Sequence, residues 1–280
     1  MGDYGPAVSP MQPTQVDQLS EAASNEISVL VTGFGPFKTN LVNASSLIAK
    51  SLPSSLTIPA SKAKATASPA ADRQVILHVH PSPIPVAYSS VREIVPAILD
   101  DFAAANQGRR PDLVIHIGIA TPRHYYSVES LAHRDDYNIT DVNGRSGYEE
   151  GEKRWKQQGL PAILSPGRAI PLTEGQADKL TRIGPRASPY PPNNHFLQTW
   201  KANASAGLDI RISHDAGHYL CDFIFYTSLA LAMQQGQDRN VLFLHVPGAA
   251  GDADIERGRE ITLALIKTMV TCWIDEVHPA

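Results

Sequence analysis

Short runs of β-branched and aliphatic residues recur along this chain. Each ends at a glycine, a proline or a polar turn, and most are followed by a stretch with helical apolar spacing. "ISVLVTGF" (27–34), "QVILHVH" (74–80), "PDLVIHIGIA" (111–120), "DIRIS" (209–213) and "NVLFLHVP" (240–247) read as strands. "YYSVESLAH" (125–133) alternates and reads as one more. "NASSLIAKSL" (43–52), with Asn43 a candidate N-cap, reads as a helix. So do "SSVREIVPAILDDFAAA" (89–105), "GHYLCDFIFYTSLALAMQQ" (217–235) and "DIERGREITLALIKTMVTCWIDEV" (254–277). Strands that alternate with helices predict an α/β fold: a mostly parallel central sheet with helices on both faces. Function in such folds gathers at the carboxyl ends of strands. That selects the turn after Val31, the segment after Gly118 and the end of "NVLFLHVP".

The remaining segments carry less pattern. Residues 1–25 are polar and contain proline, so a disordered tail is expected there, and they lack the charge and apolar run of a secretory signal. Residues 54–73 read as an exposed insertion. Residues 145–204 read as a long surface excursion with one helix near "TEGQADKL". Over 280 residues the net charge is −4, without the basic clusters that mark nucleic-acid or membrane-surface partners. No apolar stretch reaches the roughly 20 residues needed to span a bilayer. Two cysteines, Cys221 and Cys272, argue against a disulfide framework and for a reducing compartment such as the cytosol.

Three chemistries compete for the conspicuous residues. "GFGPF" (33–37) begins like a dinucleotide fingerprint, but Lys38 stands where the third glycine belongs and Pro36 breaks the helix start. The plain alternative is a strand-ending turn, in which two phenylalanines three apart, Phe34 and Phe37, are unusual. His214 and His218 have the spacing of a metalloprotease helix, but Asp215 replaces the following Glu and Gly217 intervenes. His78 and His80 share a strand face and have no evident third ligand. The third chemistry is a cysteine hydrolase. Cys221 falls in the first turn of its helix, where the dipole lowers a thiol pKa and would favour alkylation near neutral pH. His245 closes a strand as a candidate base, and Glu129 lies in apolar "SVESLA" as a candidate orienting acid. The competing reading of Cys221 is an inert buried thiol.

"VTGFGPF" with Asn43 six residues on, "PDLVIHIGIA", "SVESLAH", "SHDAGHYLCDFIFYTSL" and "LFLHVP" occur in one order. In that order the chain resembles the pyroglutamyl peptidase I (pyrrolidone-carboxyl peptidase) family of cysteine peptidases, most of all its eukaryotic members. The resemblance covers residues 27–143 and 205–277. It implies a single α/β/α sandwich, in a peptidase domain over 26–280 with insertions near 54–73 and 145–204. It also implies Cys221 as nucleophile, His245 as base and Glu129 as orienting acid. Phe34 and Phe37 would hold the pyroglutamyl ring, and Asn43 would line the same pocket. The substrate would be a pyroglutamyl peptide, cleaved through a thioester without metal or organic cofactor. The alternatives are an amidase for another small lactam and an inactive relative that serves as a binding protein. Lys38 and Thr39 depart from the two glycines of many bacterial members, and the arginine that bacterial members carry downstream of the glutamate has no clear counterpart.

Overall fold

The computed structural model describes residues 26–37, 40–59, 72–169 and 190–275. The tail at 1–25, Lys38 and Thr39, and the "TEGQADKL" segment lie outside the described residues. Strands β1 (Glu26–Gly33), β3 (Arg73–Val79), β4 (Leu113–Ile119) and β9 (Val241–Val246) form where the β-branched runs lie. They run parallel in the order β3-β1-β4-β9. β2 (Ser55–Ile58) adds antiparallel to β3 at one edge. On the other side β5 (Tyr126–Glu129) pairs antiparallel with β9, and β8 (Ile210–Ser213) pairs parallel with β5. The result is one mostly parallel seven-stranded sheet. A separate two-stranded antiparallel sheet pairs β6 (Ala132–His133) with β7 (Ile163–Leu164).

The pleat divides the core in two. Val29, Val31, Ile115, Ile117, Leu242 and Leu244 face α1 (Ala44–Ser51), α4 (Asn194–Asn203) and α6 (Asp252–Met269). Leu30, Val114 and Phe243 face α2 (Tyr88–Ala105), α3 (Lys153–Gln157) and α5 (Leu220–Gln234). Alternate residues of one strand thus feed opposite layers. α5 is buried nearly all round, including Phe223, Ile224, Phe225 and Tyr226, so it is an interior helix rather than an amphipathic one. Asn43 caps α1 as expected, accepting from the Ser45 N–H at 3.1 Å.

Two readings of the sequence need correction. Residues 54–73 do not form only an exposed insertion, because Ser55–Ile58 is a strand and Ile58 is buried. The stretch 145–204 is not a plain surface excursion. Trp155 packs on Tyr226 and Phe223 with ring centroids 4.5 and 4.8 Å apart. α4 buries Phe196 and Trp200 completely. A few aromatic anchors dock these segments, and the surrounding proline, glycine and charge hid them.

Candidate active site

The chain reverses its order across the sheet between β1 and β4, which opens a crevice at their carboxyl ends. Four elements meet there: the turn after β1, the segment after β4, the start of α5 and the end of β9. In-register neighbours of a parallel pair share a face, and His245 of β9 stands opposite Gly118 of β4. A Cβ built on Gly118 would lie 3.1 Å from the Cys221 Sγ and 2.5 Å from the Phe243 ring. Cys221 therefore sits over Gly118, on the face that also carries His245. Glycine at 118 is what lets α5 settle this close. Gly118→Ala is expected to displace Cys221 and Phe243 and to cut turnover by about 100-fold, since misplacing a reacting group by 1 Å costs that much. Unchanged kinetics in that variant would show that the thiol does not rest on the strand.

Glu129 completes the constellation from an unexpected direction. β5 runs against β9, so Ser127 rather than Glu129 stands opposite His245. The Glu129 side chain still reaches the imidazole, with its Oε1 2.7 Å from His245 Nδ1. Both residues are buried. A carboxylate only accepts, so Nδ1 carries the proton and Nε2 keeps its lone pair in the neutral ring. Arg123 lies between the elements and was not anticipated from the sequence. Its Nη1 donates to Glu129 Oε1 and to Ser127 Oγ, both at 2.8 Å, and Nη2 donates to the Asp215 carbonyl at 3.1 Å. A signal was present: an arginine six residues before a carboxylate within an apolar strand needs a reason.

The thiol departs from expectation. Burial pushes Cys221 up to about 12, the charges of Glu129 and Asp222 add to this, and Arg123 opposes them. The helix start does pull the thiol downward, through its own backbone N–H, but desolvation outweighs that contribution. Desolvation therefore disfavours the thiolate of Cys221, which keeps partial access to solvent. Iodoacetamide labelling of Cys221 should be slower at pH 7 than that of an unperturbed thiol and rise about tenfold per pH unit toward pH 11. A rate that levels off below pH 8 would instead mark a resting thiolate. Cys272 is completely buried and should not react in the folded protein.

The aromatic pair splits. Phe34 is 4% exposed and packs toward Phe243, with ring centroids 6.5 Å apart. Phe37 is half-buried, and its ring lies 5.5 Å from that of Tyr219, the residue two before the cysteine. Sequence reasoning did not single out Tyr219, whose ring packs against that of Phe37. Asn43 is buried beside the turn that carries the two phenylalanines. Its Nδ2 donates to the Gly35 carbonyl at 2.8 Å, and its Oδ1 accepts from the backbone and hydroxyl of Ser45. It supports the turn that carries both phenylalanines. The histidines separate too. His214 contacts Ser130 at 2.5 Å, whereas His218 stacks 4.7 Å from His133, so the two do not form a metalloprotease pair.

The sequence model of the pyroglutamyl peptidase family matches residues 27–158. The chain is 30% identical to pyroglutamyl-peptidase 1 of Mus musculus over 247 residues, 87% of this chain and 90% of that protein. The chain belongs to the pyroglutamyl peptidase family. The human pyroglutamyl-peptidase 1 matches with the same identity and coverage. Pyrrolidone-carboxylate peptidase of Pyrococcus furiosus is 26% identical over 79% of this chain and 81% of its own length. The fold agrees with solved members of the family. Pyroglutamyl peptidase I of Bacillus amyloliquefaciens superposes with a TM-score of 0.54 at 22% identity, over 88% of this chain and 96% of that one.

Proposed function

We propose that this protein is a cysteine exopeptidase that removes an N-terminal pyroglutamyl residue from peptides. Family membership supports the activity. The observation that carries the assignment of roles is the 2.7 Å bond between Glu129 and His245 Nδ1, on the sheet face where Cys221 sits. That bond orients Nε2 as the base for the thiol.

The chemistry follows from these groups. A neutral thiol is a poor nucleophile, so Nε2 of His245 takes its proton as sulfur attacks the carbonyl that joins the lactam to the next residue. The imidazolium is stabilised by Glu129, which Arg123 holds in place. The oxyanion forms beside the start of α5. Tyr219 is its N-cap, and the N–H groups of a helix's first turn have no intrahelical partner, which suits them as donors. His245 then protonates the leaving amine, and water hydrolyses the thioester to release pyroglutamate. The lactam carries no ammonium, which suits a site walled by the aromatic faces of Phe37 and Tyr219 above a Phe34 floor. A cytosolic setting fits two cysteines that form no disulfide, and among the described residues no helix is long and apolar enough to cross a membrane.

Release of a fluorophore from pyroglutamyl and prolyl amides, compared side by side, tests the activity. Rapid pyroglutamyl turnover that is lost in Cys221→Ser is expected. Equal use of both amides would favour a broader amidase. The two phenylalanines should separate as well. Phe37→Ala is expected to lower kcat/KM about ten- to two-hundred-fold with an unchanged melting temperature. Phe34→Ala should lose about 3–5 kcal/mol of stability first. The reverse pattern would exchange floor and wall.

A further inference from the structure

Beside the proposed catalytic trio lies a cluster of two imidazoles and a carboxylate, which the reaction above does not use. His133 on β6, His218 in the turn before α5 and Asp222 in the first turn of α5 each place one ligand atom within 4.8 Å of the others. Asp222 is completely buried. Its Oδ1 accepts from the His133 backbone N–H at 3.0 Å. Its Oδ2 faces both imidazoles, 3.2 Å from His133 Nδ1 and 3.8 Å from His218 Nδ1. The two rings stand 4.7 Å apart and are partly open to solvent, with 20% and 39% of their side chains exposed. The backbone at His218 is bent into the left-handed region, φ +39°, directly after Gly217 at φ +87°. Few non-glycine residues adopt this region, and histidine is among those that do.

We propose that His133, His218 and Asp222 form a binding site for a divalent transition metal of the zinc class. Two imidazoles and one carboxylate are the donor set zinc favours, and a fourth, tetrahedral position is left on the open side for water. Zinc bonds of about 2.0–2.1 Å require ligand atoms about 3.3 Å apart. The Asp222–His133 spacing already meets this, and the half-exposed His218 ring, whose Nδ1 lies 3.0 Å from the Asp135 carbonyl oxygen, exchanges that bond for the ion. The buried carboxylate is preorganised by its bond to the His133 backbone, so the histidine that closes the site is the one with room to move. A bound ion would clip β6 to the start of α5 and fix the turn that carries Tyr219 and Cys221. The site does not depend on the catalytic reading, because none of its ligands belongs to the trio.

Zinc alone, titrated by calorimetry into the metal-free Cys221→Ser protein, tests this, since that background removes any site made by the nucleophile and its base. One zinc per chain is expected, with a rise in melting temperature of about 5 °C at a hundredfold excess over Kd. His218→Gln and His133→Gln should each weaken binding by about tenfold or more. Because His218 is half-exposed, its variant keeps the test valid even where His133→Gln is poorly folded. Cobalt in the same protein should give visible d–d bands without the near-ultraviolet charge-transfer band of a thiolate ligand. Absence of zinc binding in the Cys221→Ser protein, or binding unchanged by His218→Gln, would overturn the site.

Discussion

Cys221→Ser and His245→Gln are each expected to lower kcat/KM for pyroglutamyl amides by at least about 10⁴-fold while the fold is retained. The size of the effect follows from the resting state of the thiol. Desolvation and the charges of Glu129 and Asp222 push the thiol up to about 12, which disfavours the thiolate near neutral pH. Transfer to His245 is then obligatory, and losing either partner removes one shared step. Serine is nearly isosteric with cysteine, and the amide introduced by His245→Gln keeps a donor for Glu129 Oε1. Circular dichroism and melting curves should therefore stay close to those of the parent. The losses should also be non-additive, with the double variant scarcely worse than either single one. Turnover within tenfold of the parent in either single variant would remove the trio.

Arg123→Ala is expected to be the most destabilising substitution of an exposed or half-exposed side chain at the site. Glu129 is completely buried, and Oε2 has no hydrogen-bond partner. Its charge is compensated at Oε1, by Arg123 at 2.8 Å and by His245 at 2.7 Å. Removing the guanidinium leaves the interior carboxylate with the imidazole as its remaining partner at Oε1. Breaking a buried pair in this way costs about 3–5 kcal/mol, or roughly 6–10 °C in melting temperature for a chain of this size. Activity should fall too, because Glu129 would no longer be held against the base. The double variant Arg123→Ala/Glu129→Gln separates charge from packing. It should recover at least half of the lost stability, since the uncompensated charge is gone, yet recover none of the activity. If the double variant melts no higher than Arg123→Ala, the arginine acts through packing and not as a charge partner.

The order of strands and helices was legible in the sequence because it is written in contiguous residues. β-branched runs closed by glycine or proline, and the cap at Asn43, need no distant partner to declare themselves. Cys221, His245 and Glu129 could be named because each falls at or near an element end within a resembling motif. The sequence was least informative where a few anchors outweigh composition. Trp155, Phe196 and Trp200 pull segments rich in proline and charge into the core.

Tertiary structure alone decided how those residues are placed. His245 and Glu129 are 116 positions apart, and they meet only because β5 runs against β9. Gly118 matters because its register partner is His245 and its missing Cβ is where Cys221 rests. Phe34 and Phe37 look equivalent three residues apart, yet one turns into the core beside Phe243 and the other toward Tyr219. The helix start and the burial of Cys221 act on the thiol in opposite directions, and only the packing around it sets which prevails. Periodicity is a property of neighbours along the chain. Desolvation and charge compensation depend on what lies within a few ångströms in space, and for this site those groups come from four separate elements of the fold.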